Sequence, residues 1–258
     1  MSKEQERIKL YNADCLEILK TLPDKSVDLI LQDPPYNTTA CKWEWDIITK
    51  IDEFWAEWKR VIKDNGAIVM TASQPFTSKL VMSNLKMFKY EWVWEKNTGA
   101  GFIHAKNRPL KRHENIIVFS NGSMGHKSLL GEKRLIYNPQ GLIKEIKIGK
   151  NGISGTTIGK RPSNKDNNVS EYKNYPTTIL KINNDTGLHP TQKPVALMEY
   201  LIKTYTNEGD TVFDGFMGSG STLVACKNLN RKGIGIELDE KYFKIAEERI
   251  NNTPDKLL

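Results

Sequence analysis

One short stretch of the sequence places an acid, two prolines and an aromatic residue in a row, as Asp33-Pro34-Pro35-Tyr36. The apolar run 27–31 that precedes it is typical of a buried strand. Each proline ring locks the backbone φ near about −65°, so the stretch forms a rigid bend. Such a frame could hold a carboxylate, a carbonyl and an aromatic ring against a substrate. Taken alone, a stiff turn at the end of a strand is the simpler interpretation.

A glycine-rich turn, FDGFMGSGST at residues 213–222, lies between a predicted strand and a predicted helix. Ligands that resemble nucleotides bind at this place in α/β sheets. Its glycine spacing is not Gly-x-Gly-x-x-Gly, and Ser221 stands where a phosphate-binding loop has its lysine. Glu237 ends the next predicted strand, and a carboxylate there can accept hydrogen bonds from both ribose hydroxyls. The pattern favours a nucleoside without a triphosphate, such as S-adenosylmethionine.

Positive charge is concentrated in the middle third of the chain. The 258 residues include 38 Lys or Arg and 31 Asp or Glu, a net charge of +7. Residues 97–180 hold 14 basic and 5 acidic residues, which leaves 24 basic and 26 acidic residues elsewhere. A basic surface attracts a polyanion, and counterion release favours nucleic acid. A solvated lysine-rich surface is the alternative that charge alone leaves open.

Strand-like and helix-like segments alternate in the two outer parts of the chain. Residues 1–120 contain the strand before Asp33, a helix over about residues 51–63 and a turn at Asn65-Gly66. Residues 181–258 return to the same alternation. The pattern predicts an α/β fold with helices on both faces of a parallel or mixed sheet.

The intervening residues 121–180 differ in composition from both outer parts. They are dense in Gly, Asn, Lys and Ser and show no sustained period. Long segments of this kind inside compact domains are usually functional or disordered. We therefore expect an irregular basic insertion that separates two halves of one domain, 1–120 and 181–258.

Several classes of protein are disfavoured by the remaining composition. The three cysteines are widely spaced and the four histidines lack ligand spacing, so we expect no metal. No run of 18 apolar residues occurs and the first residues lack the apolar core of a signal peptide. We expect a cytoplasmic protein that does not associate with a membrane.

The motifs taken together resemble a known family. DPPY (33–36), FMGSGST (216–222) and IGIELDE (234–240) occur in this order, with the basic segment between the first two. This arrangement closely resembles the β group of DNA amino-methyltransferases, which use S-adenosylmethionine to methylate adenine N6 or cytosine N4. Residues 12–37 and 189–202 match as well, so the resemblance covers most of the chain outside the insertion. YNPQ and YPTTIL are similar to phage and prophage members.

The resemblance implies a Rossmann-like methyltransferase sheet and a direct reaction. An exocyclic amino nitrogen is a poor nucleophile because its lone pair is delocalised into the ring. The carboxylate of Asp33 and the carbonyl of Pro34 would accept the amino hydrogens, and Pro35 would keep the frame rigid. Tyr36 would stack on the base, which must be flipped out of the duplex. The methyl group would pass in line, without a covalent enzyme intermediate.

The resemblance also implies a set of cofactor-binding residues. Asp14 would accept from the adenine amino group of the cofactor, and Glu237 would bind its ribose. Lys193 would pair with the carboxylate of the cofactor. The set comprises Asp14, Cys15, Thr191, Gln192, Lys193, Phe213, Asp214, Gly215, Gly218, Gly220, Ser221, Thr222, Glu237 and Leu238. A capping or surface role is the alternative for Asp14, Thr191 and Gln192. Family members often have proline where this chain has Gly215, from which we expect altered loop stiffness rather than lost binding.

Double-stranded DNA is the partner that the resemblance implies. Residues 121–180 would form the target-recognition region, and four basic residues would contact phosphates: Lys106, Arg108, Lys111 and Arg112. A solvated surface is an equal alternative for these four. A homodimer and a cognate restriction enzyme are compatible with the resemblance as further partners.

The leading hypothesis is a site-specific DNA adenine-N6 methyltransferase. Cytosine-N4 methylation is the alternative within the class, and Asp33 favours adenine because serine is commoner there in the cytosine enzymes. A non-catalytic DNA-binding protein on the same fold is the alternative from another class. The intact Asp33, Pro34, Tyr36 and Glu237 speak against it.

Overall fold

The computed structural model describes residues 7–35, 50–125, 131–150, 167–184 and 192–254. Its contacts divide the chain into two compact units. The larger unit combines 1–138 with 178–258, and the smaller unit is 139–177.

An eight-stranded mixed sheet organises the larger unit. The strands of both units are β1 (Ile8–Asn12), β2 (Val27–Gln32), β3 (Ile62–Ala72), β4 (Phe88–Ala100), β5 (Lys111–Phe119), β6 (Ile143–Lys150), β7 (Asn167–Lys173), β8 (Ile179–Lys181), β9 (Thr211–Asp214) and β10 (Lys232–Glu237). The sheet order is β1-β10-β9-β2-β3-β5-β4-β8. The first five strands in that order are parallel, β5 is antiparallel to both β3 and β4, and β8 runs parallel to β4.

Helices cover both faces of this sheet, which confirms the predicted fold class. They are α1 (Cys15–Thr21), α2 (Ile51–Val61), α3 (Phe76–Ser83), α4 (Val195–Tyr205), α5 (Ser221–Asn228) and α6 (Glu240–Asn251). Side chains alternate along a strand, so Ile30 of β2 packs with α1, α2 and α3. Leu29 and Leu31 of the same strand pack with α4 and α5 on the other face. The strand VDLILQ is buried at every position because it lies between these two layers.

The boundary between α2 and β3 differs from the prediction. The helix ends at Val61, and β3 begins at Ile62, so the expected turn at Asn65-Gly66 lies within a strand. The reason is tertiary: Ile62 pairs with Val27 of β2, so the backbone is extended before the Asn-Gly pair is reached.

The carboxyl ends of β2 and β9 lie side by side. Leu29 pairs with Val212 and Ile30 pairs with Phe213, in parallel register. The buried carboxylate of Asp28 secures this junction, since it accepts from the Thr211 backbone N–H at 2.9 Å. Asp28 also accepts from the Lys63 ammonium at 2.6 Å. The chain connections diverge on either side of such a junction, and ligands bind in the crevice at its carboxyl edge.

The smaller unit lies inside the predicted insertion, 121–180. It contains an antiparallel pair, β6 and β7, in which Ile143 lies opposite Lys173. Composition alone did not predict these strands. Parts of the predicted insertion belong to the larger unit: Leu135 is buried in its core, and β8 extends its sheet.

Among the described residues, no helix combines the length and apolar character that a membrane crossing requires. Cys15 and Cys226 are buried free thiols. The described part of the chain contains no cluster of three or more His, Cys, Asp or Glu side chains suited to a metal.

Candidate active site

Asp33 extends from the carboxyl end of β2 and is held from two sides. Its Oδ1 accepts a hydrogen bond from the Thr71 hydroxyl of β3. Its Oδ2 accepts from the Lys193 ammonium at 2.5 Å, just before α4 begins. Pro34 is buried and Pro35 half-buried, so the backbone beyond the carboxylate is also fixed. Tyr36 lies outside the described residues, and its predicted role stays a prediction.

A second carboxylate, Glu114 of β5, lies next to the same lysine. Its Oε2 forms an ion pair with the Lys193 ammonium at 3.5 Å, and its Oε1 accepts from Lys96 at 2.5 Å. Burial raises the pKa of Glu114, but the charges of Lys193, Lys96 and Lys111 outweigh it and leave the pKa below its usual value. Asp33, Lys193, Glu114 and Lys96 thus alternate in charge, and we call them the charge row.

The sequence analysis did not identify Glu114. The one local signal is an acid close to the apolar run 116–119 that ends β5, separated from it by Asn115. Charged residues next to apolar runs are common, so that signal is weak. Glu114 is recognised as a site residue only when β5 is seen to pair with β3 in the sheet.

The glycine loop lies at the carboxyl end of β9. Gly218 and Gly220 have φ of 51° and 80°, a region that residues with a Cβ rarely adopt. The Glu237 carboxylate accepts from the backbone N–H of Gly218 and of Asp239, each at 2.9 Å. Burial raises the pKa of Glu237. Within the described residues, no lysine or arginine forms an ion pair with Glu237. Its carboxylate, at the end of β10, can therefore accept hydrogen bonds from hydroxyl groups.

Residues 192 and 193 link this loop to the catalytic carboxylate. The Gln192 side-chain oxygen accepts from the Ser219 hydroxyl at 3.2 Å, whereas the neighbouring Lys193 binds Asp33. On the other side of the loop, Arg249 of α6 donates to the Ser219 carbonyl at 3.0 Å and to the Ser221 hydroxyl at 3.1 Å. Lys193, expected at the cofactor carboxylate, therefore contacts Asp33 and Glu114 in this structure. Thr191 lies outside the described residues.

Asp214 is the fully buried acid of the loop. Its Oδ1 accepts from the Phe216 backbone N–H at 3.0 Å. Burial raises its pKa to about 7, and the charges of Asp33 and Glu237 add to the shift. The hydrogen bonds from Thr222 and Phe216 act in the opposite direction. Asp214 ends β9 and Asp33 follows β2, so the parallel pairing of these two strands brings the predicted cofactor and catalytic residues to the same edge of the sheet.

The other predicted loop residues differ in what they can present to a ligand. Phe213 is fully buried in the core, so it can meet a ligand through its backbone alone. Ser221 and Thr222 are buried at the start of α5, and Leu238 is 48% exposed. The structure thus brings the backbone of this segment, more than its side chains, to the site.

Asp14 and Cys15 begin α1 at the carboxyl end of β1. Asp14 Oδ1 accepts from the backbone N–H of Leu16 at 2.8 Å and of Glu17 at 3.3 Å, which is the capping role considered as the alternative. The buried Cys15 thiol faces Gly215: a Cβ at position 215 would lie 2.4 Å from Cys15 Sγ. Glycine at position 215 therefore makes room for the thiol. The expectation of altered loop stiffness did not include this contact.

The four predicted phosphate contacts lie on β5 and on the turn before it. Lys106 and Arg108 are exposed in the turn between β4 and β5. The Lys111 ammonium donates to the Ser73 hydroxyl, and burial lowers its pKa. Arg112 donates to the Lys96 carbonyl at 3.0 Å. Lys111 thus lies at the edge of the charge row, and Lys106, Arg108 and Arg112 are exposed.

The site suits S-adenosylmethionine in its donor and acceptor chemistry. Gly218 leaves the loop backbone open, whereas Gly220 packs against Ala246 and Ile250 of α6. Glu237 provides a partly buried acceptor at the end of β10. A Cβ at Gly218 would meet no atom within 4 Å, which shows open space beside the loop. By the resemblance, Phe213, Asp214, Gly218 and Gly220 would shape the methionine side and Glu237 would bind the ribose. Gln192 lies next to this loop, since it accepts from Ser219.

Replacing Gly215 by alanine tests the contact with Cys15. Gly215→Ala should lower the free energy of unfolding by about 1–3 kcal/mol, because the new methyl overlaps the thiol. Cys15→Ala removes the sulfur, so the double variant should recover at least about 1 kcal/mol relative to additive behaviour. Urea unfolding of the four proteins measures this coupling. Strict additivity would show that the two side chains do not compete for space.

Asp214→Asn tests the buried acid through pH. Free aspartate has a pKa of about 3.9, so the folded protein binds the extra proton between roughly pH 4 and 7. Ionisation of Asp214 therefore lowers stability progressively as pH rises through that window. The melting temperature of Asp214→Asn minus that of wild type should increase between about pH 5 and 7.5. A difference in melting temperature that stays constant across this pH range would contradict the assignment.

The comparisons with known proteins agree with this geometry. A family model described as DNA methylase matches residues 27–248. The type II methyltransferase M.HpaI of Haemophilus parainfluenzae is 32% identical over 95% of this chain and 74% of its own length. The DNA adenine methyltransferase YhdJ of Escherichia coli K12 is 29% identical, over 94% of this chain and 82% of its own.

Solved structures extend the likeness to the whole fold. The crystal structure of an M1.HpyAVI–SAM complex is 28% identical, covers 95% of this chain and 99% of its own, and superposes with a TM-score of 0.64. The matched region contains the charge row, the glycine loop and Glu237. The chain therefore belongs to the DNA methylase family, the S-adenosylmethionine-dependent methyltransferases that act on amino groups of DNA bases.

Proposed function

We propose that this protein methylates the N6 amino group of adenine at a specific sequence in duplex DNA. The observation that carries the proposal is the position of Asp33. Its carboxylate is held by Thr71 and Lys193 at the edge of the sheet where the glycine loop and Glu237 also lie. Asp33 rather than serine, and the similarity to an enzyme named as an adenine methyltransferase, favour adenine over cytosine.

The proposed mechanism depends on two acceptors in fixed positions. The Asp33 carboxylate offers several lone pairs, so it can accept an amino hydrogen while Thr71 and Lys193 hold it. The carbonyl of Pro34 accepts the second hydrogen. With both hydrogens held, the nitrogen lone pair can be directed out of the ring plane. Positioning of this kind can supply a large part of the acceleration.

S-adenosylmethionine, when bound, supplies an electrophilic methyl group. The chain's part is to place the amino nitrogen in line with that group and to take up the proton that the methylated nitrogen releases. Asp33 is already within reach of one amino hydrogen in the proposed pose, so it is the first acceptor for that proton. Gln192 and Lys193 join the two halves of the site, which keeps donor and acceptor aligned.

We propose that residues 121–180 contribute target recognition. The smaller unit within them, 139–177, contains seven Lys or Arg and three Asp or Glu, a composition that suits DNA phosphates. We also propose the cytoplasm as the location, since the DNA substrate of a bacterial methyltransferase lies there. A homodimer and a cognate restriction enzyme stay hypotheses, as does the similarity to phage members.

Long-read sequencing of DNA from cells that express the protein tests the proposal directly. We expect N6-methyladenine at one recurrent motif, absent from cells that express Asp33→Ala. In vitro, Asp33→Ala should lower methyl transfer by about 10²-fold or more, since an acceptor in contact with the reacting group is lost. The exposed Asp24→Ala is the matched control and should keep full activity. N4-methylcytosine at the motif would establish the alternative, and unmodified DNA would contradict both.

Glu114→Gln tests the charge row as a positioning device. Neutralising Glu114 leaves Lys193 and Lys96 without their shared counter-charge, so Lys193 should hold Asp33 less precisely. We expect kcat to fall about 10- to 100-fold through misalignment. The Kd for S-adenosylmethionine, measured by calorimetry, should change little.

The control is Glu91→Gln on the neighbouring strand, where the carboxylate is exposed and accepts from Asn115 at 3.1 Å. It should leave kcat unchanged. An unchanged kcat for Glu114→Gln, or an equal loss of cofactor binding and of kcat, would argue against a positioning role.

A further inference from the structure

The turn between β4 and β5 carries two large apolar side chains into solvent. Gly101, with φ of 87°, leads into a short helical turn, Phe102–His104. Phe102 is 80% exposed and Ile103 is 88% exposed. Neighbouring apolar residues exposed to this degree gain nothing for folding, so their presence points to a binding partner.

The charge around these side chains suits a polyanion. Between Lys96 and His113 the sequence has five Lys or Arg and no Asp or Glu. Lys106 and Arg108 are exposed and lie three to six residues after Phe102 and Ile103. All charged residues around this apolar tip are basic. This combination suits DNA, which offers phosphates on the outside and apolar base faces inside.

The same hairpin forms part of the active site. Ala100 of β4 pairs with Lys111 of β5, directly below the tip. Three residues further, about 10 Å along the strand, Glu114 contacts the Lys193 that holds Asp33. The hairpin of β4 and β5 therefore connects the apolar tip to Glu114, which reaches Asp33 through Lys193.

We propose that Phe102 and Ile103 form a wedge that enters the DNA base stack beside the target and fills the space left by the flipped base. The inference rests on the proposed function and adds to it how the base is extracted. Flipping leaves an unstacked gap, and apolar side chains inserted between bases replace the lost stacking. Lys106 and Arg108 would hold the flanking phosphates, which fixes the tip against the duplex.

The test uses the full-length protein and a duplex that contains the methylation motif found by sequencing. The double variant Phe102→Ala/Ile103→Ala is compared with wild type on this duplex and on one in which an abasic site lies opposite the target. We expect the variant to lose about tenfold or more of the methyl-transfer rate on the paired duplex, because it must unstack the base without a replacement. Most of that loss should disappear on the abasic duplex, where the target is already unpaired.

Leu85→Ala is the matched control. Leu85 is 57% exposed and lies just before β4, at the end of that strand opposite to the tip. This variant should behave as wild type on both duplexes. The wedge is wrong if the double variant matches wild type on the paired duplex, or if it loses the same factor on both duplexes.

A second measurement separates the wedge from the proposed function. Wild-type protein that methylates neither duplex would show that the proposed function fails. The wedge is then decided on closed-circular plasmid relaxed by topoisomerase I with protein bound, since insertion between base pairs unwinds DNA. A change in linking number with wild type that the double variant lacks supports the wedge, and equal linking numbers for the two proteins, or no change at all, overturn it.

Discussion

The parallel pairing of β2 with β9 is the constraint on which the rest of the site depends. It brings together segments that lie about 180 residues apart in the chain, Asp33 after β2 and Asp214 at the end of β9. The buried Asp28 carboxylate fixes the pairing, because it binds the first backbone N–H of β9 and the ammonium of Lys63, the second residue of β3. Removal of a buried ionic partner is costly, so this register is strongly specified. The crevice beside the two carboxyl ends follows from it.

The segment before α4 couples the two functions of that crevice. Gln192 contacts the glycine loop and Lys193 contacts Asp33, so two neighbouring residues contact the two parts of the crevice. In the proposed mechanism, a movement of the loop would therefore be transmitted to Asp33 over one peptide unit. The same contacts would keep the methyl donor and the amino group in register.

The pKa values of three acids near the crevice, the buried Asp214 and Glu114 and the half-buried Glu237, shift differently because their surroundings differ. Burial raises the pKa of Asp214 to about 7 and raises that of Glu237, since no lysine or arginine among the described residues pairs with either. Burial also acts on Glu114, but three lysines reverse the effect and lower its pKa. The negative charge of the site is therefore balanced by lysines on the side of the charge row, where a base and its phosphates would approach, and left unbalanced on the side of the nucleoside.

The features that could be predicted from the sequence are those that depend on a few neighbouring residues. Proline pairs fix a bend, glycines permit a positive φ, and alternating strands and helices predict an α/β sheet, so the Asp33 motif, the glycine loop and Glu237 could all be predicted. Only the tertiary structure decided which distant side chains meet. Glu114 became a site residue because β5 lies beside β3, α2 ended at Val61 because Ile62 pairs with β2, and Gly215 was needed because Cys15 faces it. Local residue patterns set the backbone conformation of each segment. Contacts between strands depend instead on the order of the strands in the finished sheet, which no local pattern specifies.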